Sequence, residues 1–142
     1  IEHLNQQEGY KHILDLLLEN PELGLVIKPK KPKTLSDRLG IELVELLEQA
    51  KKTGRCYLFD SFGKSHSNVP VVMAAKCADI GVHSNLYAGT AAIECALEGI
   101  PTLIVDREGY KNNKLYVLEK NKVIFTNWVD TITALKEIIK TN

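Results

Sequence analysis

Asp79-Ile80-Gly81-Val82-His83-Ser84-Asn85-Leu86-Tyr87-Ala88-Gly89-Thr90 runs from a short apolar segment into a polar turn that ends on glycine. Ile80-Gly81-Val82 is a strand in this reading, and Thr90 to Glu98 is a helix that Gly99 ends. Pro101 then leads into Thr102-Leu103-Ile104-Val105, a segment with a strong β-branched strand signal. Pro101 donates no backbone hydrogen bond, which suits the entry to a strand.

Working outward in both directions, the same alternation recurs. Leu4, Ile13, Leu14, Leu17 and Leu18 share one helical face, and Asn20-Pro21 stops that run. Gly24 to Lys28 is a first strand, followed by the basic, proline-stiffened loop Lys30-Lys31-Pro32-Lys33. Leu39, Leu43, Leu46, Leu47 and Ala50 mark a second amphipathic helix, closed by Gly54, and Cys56 to Phe59 form the next strand. Asp60 to Asn68 is a polar loop, and Pro70 suits the first position of a helix over Val71 to Ala78. Beyond the opening stretch, Val123-Ile124-Phe125 gives a fifth strand, and Ile132, Leu135, Ile138 and Ile139 a closing helix capped by Asn127 or Asp130. Strands that alternate with helices through short connections select an α/β fold, with about five parallel strands and helices on both faces. Residues 1–142 are expected to form one domain, which is an ordinary size for one.

Composition narrows the function classes. Hydrophobic residues make up 44% and charged residues 25%, as in ordinary globular chains. Lys plus Arg and Asp plus Glu each total 18, so no net field draws the chain to nucleic acid or to anionic lipid. Cys56, Cys77 and Cys95 are odd in number, lack CxxC spacing and lie in apolar segments, which implies a reducing compartment. With no signal peptide and no run long enough to span a bilayer, the expected location is cytoplasmic. The chain opens on Ile1 inside a helical pattern, and is expected to be part of a longer protein.

Ligands of open parallel sheets bind beyond the carboxyl ends of the strands. The turn from His83 to Thr90 is therefore the first candidate site, because such a turn offers backbone N–H groups and the positive end of a helix dipole to an anion. Gly89 allows close backbone approach, Ser84 and Thr90 supply hydroxyls, Asn85 adds a polar side chain, and Glu94 lies one helical turn beyond Thr90, within reach of a ribose. The competing reading makes Ser84 and Thr90 helix caps and Glu94 a solvated charge. For His83, at the strand end, the competing role is that of a hydrogen-bonded structural histidine. Two other signals fail. Gly63-Lys64-Ser65 lacks the glycine a P-loop needs five positions earlier, where Leu58 stands. His3, His12, His66 and His83 do not pair with one another or with the cysteines at metal-ligand spacing, so no metal is expected.

Ala78-Asp79-Ile80-Gly81-Val82, followed by the run from Gly89 to Ile104 with Gly-Thr, then Glu94, then Gly99-Ile100-Pro101, resembles the donor-site segment of GT-B glycosyltransferases and of UDP-N-acetylglucosamine 2-epimerases. The resemblance implies a Rossmann-like three-layer domain, one half of a GT-B fold, whose turn and helix end hold the diphosphate of a nucleotide sugar while Glu94 contacts the ribose. It further implies that Asp106, Arg107 and Asn113, in the polar loop after the strongest strand, touch the donor sugar; an ordinary surface loop would have the same composition. Retaining members often carry a second glutamate eight positions before the first, where Leu86 stands here, so the likeness does not extend to a retaining mechanism. Some capsule and sialic-acid transferases carry Lys-Pro-His-Pro after the first strand; this chain has Lys28-Pro29-Lys30-Lys31-Pro32, in which Lys28 at the strand end is the candidate phosphate contact and the other lysines fit a solvated loop.

The function so implied is donor binding, with UDP or another NDP carrying the sugar, for transfer to a glycan or lipid-linked acceptor in polysaccharide biosynthesis. No further cofactor is implied. An N-terminal domain outside this sequence would supply the acceptor site, the catalytic base and any peripheral membrane contact, so the fragment alone would not catalyse. Two rival readings stand beside it: half of an NDP-sugar 2-epimerase, and a non-catalytic α/β ligand-binding module.

Overall fold

The computed structural model describes residues 2–29, 31–59, 71–84, 89–109 and 111–141, with the backbone alone at Glu2, His3, Val71, Gly89 and Thr90. The chain divides into two compact units, Ile1–Cys77 and Ala78–Asn142.

The first unit contains α1 (Glu2–Glu19), β1 (Leu25–Ile27), a 3-10 turn (Pro32–Thr34), α2 (Leu35–Leu39), α3 (Ile41–Lys52), β2 (Cys56–Leu58) and α4 (Val71–Ala75). β1 and β2 pair in parallel, with Leu25 opposite Cys56 and Ile27 opposite Leu58. Side chains alternate across a strand, so these four residues share one face. That face packs on a core of Leu14, Leu17, Leu35, Leu39, Leu43, Leu47 and Ala50, drawn from the three long-spaced apolar stripes of α1, α2 and α3. The single helix expected across Leu39 to Ala50 is two helices. Gly40 interrupts them at φ 82° and ψ 169°, a backbone conformation that only glycine adopts readily.

The second unit contains β3 (Gly81–His83), α5 (Gly89–Leu97), β4 (Thr102–Val105), a 3-10 segment (Lys114–Asn121), β5 (Ile124–Phe125) and α6 (Trp128–Thr141). Its sheet has the order β3-β4-β5, all parallel. β4 is central, and Leu103, Ile104 and Val105 are each at most 3% exposed. Ile104 packs with Ala92 of α5 and Ile124, while α6 packs against β4 and β5. α5 ends as its sequence predicts: Gly99 at φ 79° donates to the Ala96 carbonyl at 2.9 Å, and Ile100 donates to that of Cys95 at 3.2 Å, the paired bonds of a Schellman motif. Of the two residues expected to cap α6, Asn127 is the cap. Its side-chain oxygen accepts from the Asp130 backbone N–H at 2.8 Å, and its amide donates to the Asp130 carboxylate at 2.8 Å.

The molecule is α/β, and every strand pairing among the described residues is parallel. The expected five-stranded core is corrected to two small sheets of two and three strands. Strands of two to four residues offer few ladder bonds each. The hydrophobic pattern that locates such strands does not specify which edges join.

Candidate functional site

Parallel pairing brings the exits of β3, β4 and β5 to one edge of the second sheet. His83 lies opposite Ile104, Ile104 opposite Ile124, and Val105 opposite Phe125. Ser84, Asp106 and Thr126 therefore follow their strands on that edge, where ligands of parallel sheets collect. Ser84 is exposed there. The helix α5 begins at Gly89, within a few residues of Ser84 in the sequence. Asn85 lies outside the described residues, as does the side chain of Thr90. Glu94 is half-buried on α5, next to Cys95, whose thiol is pushed up by burial and then by the Glu94 charge.

His83 points elsewhere. A Cβ built on Gly81 would lie 3.5 Å from His83 Nε2, 3.5 Å from Thr102 Oγ1 and 3.7 Å from Cys95 Cβ. Residues 81 and 83 share a face of β3, so the ring folds back over Gly81, away from the Ser84 edge. Nε2 is buried and makes no hydrogen bond among the described residues. Burial holds the imidazole pKa below its ordinary value, which favours the neutral ring.

The three residues nominated in the loop after β4 each bond to other groups of the protein. Asp106 is 3% exposed; its N–H donates to the Phe125 carbonyl at 2.7 Å, and its carboxylate accepts from the Tyr116 hydroxyl. Arg107 Nη1 donates to the Thr126 carbonyl at 3.0 Å. Asn113 caps the 3-10 segment, accepting from the Leu115 N–H at 2.9 Å. Sequence reasoning passed over Tyr116, which burial, the Asp106 bond and nearby acidic charge together keep protonated well above the usual phenol range. Leu115, Tyr116 and Leu118 pack against the core of Ala92, Ile104 and Ile124.

Lys28 follows β1 in the first unit, half-buried, and so stands on a different sheet from the other nominated residues. Among the described residues no group of three potential metal ligands gathers, and no helix is long and apolar enough to cross a membrane. Comparison with protein-family models, with curated proteins and with solved structures gave no match.

Proposed function

We propose that the second unit binds the diphosphate of a nucleotide sugar at the exits of β3 and β4, as the donor-binding part of a GT-B-type glycosyltransferase. The observation that carries the reading is the start of α5 at Gly89, within a few residues of the carboxyl end of the parallel strand β3. First-turn amides have no partner inside their own helix, and in this reading those of α5, with the positive end of its dipole, receive the anion. The sequence likeness of Ala78 to Ile104 to donor-site segments supports the same assignment, as do the Gly99 helix stop and the entry through Pro101 into β4. In this reading the helix end stabilises the leaving diphosphate as negative charge develops on it, and Glu94 accepts from the ribose hydroxyls. Acceptor and catalytic base come from another domain, and the chain by itself binds without turnover.

Titration of the full chain with UDP, CDP, GDP and CMP, followed by backbone NMR, tests the reading. A diphosphate is expected to shift the amides from Ser84 to Ala91 selectively. Silence from all four ligands in that stretch would overturn it.

A further inference from the structure

In the first unit α1 packs against α3, and between the two helices runs a groove of about 450 Å³. Leu4, Glu8 and Lys11 line it from α1, and Glu42, Glu45 and Leu46 from α3, each set at the three- and four-residue steps that align along one helix face. The stripe from Leu4 to Lys11 extends about 10 Å, or two helical turns. Leu43 and Leu46 also pack in the core between the helices and so form an apolar floor, whereas Glu42 and Glu45 are exposed. Leu4 is 66% exposed, and Ile41, which precedes Glu42 in the chain, is 80% exposed, so aliphatic surface is left in water beside the carboxylates. Among the described residues that line the groove, Glu8, Glu42 and Glu45 are acidic and Lys11 alone is basic. The Lys11 ammonium is held by the Asp15 carboxylate at 2.5 Å, so the field of the groove is negative. Such a field repels nucleic acid and anionic lipid, and a second copy docking by the same face would set carboxylate against carboxylate.

We propose that this groove docks a basic amphipathic helix of a partner protein, about two turns of which lay aliphatic side chains against Leu4, Leu43 and Leu46 while flanking lysines or arginines face Glu8, Glu42 and Glu45. The apolar floor supplies the affinity, and the acidic rim selects the sign of the partner's charge. The groove belongs to the first unit, and the proposal is independent of the diphosphate reading.

Fluorescence anisotropy of the full chain with two synthetic helical peptides of about fourteen residues provides the test. One carries leucines at three- and four-residue spacing with lysines on the flanks, and the other keeps the leucines and has glutamate in place of every lysine. The lysine peptide is expected to bind at least about tenfold tighter than the glutamate peptide, and to weaken several-fold between about 50 and about 500 mM salt. Backbone NMR should show its effect on residues 4–11 and 42–49, with β4 unmoved. Glu42→Lys combined with Glu45→Lys should invert the preference. Glu42→Gln combined with Glu45→Gln, which keeps side-chain size, should reduce it at least about threefold, and it provides the measurement if the reversal does not fold. Leu4→Ser, at an exposed position, should weaken both peptides. No binding of the lysine peptide, equal binding of the two peptides, or a preference unchanged in the glutamate variants overturns the proposal. So does self-association of the wild-type chain that shifts the same amides, which would make a second copy the occupant.

Discussion

The Arg55 guanidinium reaches the Leu23 carbonyl, with Nη1 donating across 2.6 Å. The same nitrogen lies 3.1 Å from the Leu17 carbonyl and 3.0 Å from that of Asn20, so its two hydrogens are shared among three acceptors. Leu17 is in the last turn of α1, where carbonyls have no partner within the helix, and Asn20 and Leu23 lie on the connection to β1. The Arg55 backbone carbonyl also accepts from the Leu25 N–H at 2.7 Å, so one residue anchors both the helix exit and the strand entry.

Arg55→Leu should therefore destabilise the chain by about 2 kcal/mol, since bonds from a charged donor contribute about 1.5–3 kcal/mol. Arg55→Lys should recover only part of that loss, because an ammonium lacks the planar fork and the reach of a guanidinium. Urea unfolding measures both variants. An unchanged midpoint in Arg55→Leu would show that the three carbonyls are satisfied equally well by water.

Gly40 gives a second stability prediction, of a different physical kind. A Cβ at this position would meet nothing within 4 Å, so Gly40→Ala introduces no clash. The whole cost lies in the backbone, held at φ 82° and ψ 169°, and strain of that kind costs roughly 1–3 kcal/mol. Gly24→Ala is the matching control: its Cβ would lie in ordinary contact, 3.6 Å from the Arg55 carbonyl, without a left-handed backbone. Thermal unfolding should separate the two variants, with Gly40→Ala well below wild type and Gly24→Ala close to it. Equal midpoints would mean that α2 and α3 can fuse into one helix at small cost.

Local signals in the sequence located nearly every element, and the same signals explain what they missed. Gly99 and Asn127 act as helix stop and helix cap because their chemistry is local: a left-handed residue and a side-chain acceptor serve the backbone a few residues away. Gly40 was passed over because Leu39 and Leu43 keep helical spacing across it, and apolar spacing does not register a change of direction between two short helices. The division into two sheets was not legible, because pairing between strands depends on contacts distant in sequence. At the candidate site, residue types drew attention to Asp106, Arg107 and Asn113, and the fold adds the bonds each makes to the protein's own groups. Composition identifies a polar loop; only the fold shows which way its polar atoms turn. Tyr116 illustrates the converse, since nothing in its own neighbourhood of sequence announces a partner ten residues earlier.

His83 yields a prediction in pH. Burial lowers its pKa from the ordinary histidine value, so the folded chain binds a proton there less readily than the unfolded chain does. The stability this group contributes is fully present above the unfolded value of about 6.5 and is lost as pH falls through the lower folded value. Wild-type stability should accordingly decline between neutral pH and pH 5 more steeply than that of His83→Leu, in which no buried imidazole has to be charged. At neutral pH the leucine variant should be no less stable than wild type, because the substitution removes a buried Nε2 that makes no hydrogen bond among the described residues. Urea unfolding across this range, with the imidazole titration followed by NMR, measures both effects. Since the other histidines are common to both proteins, the difference between the two curves isolates position 83. If the curves stay parallel and the ring titrates at its ordinary value, the imidazole is solvated and its folded-back position over Gly81 is not the one the protein holds in solution.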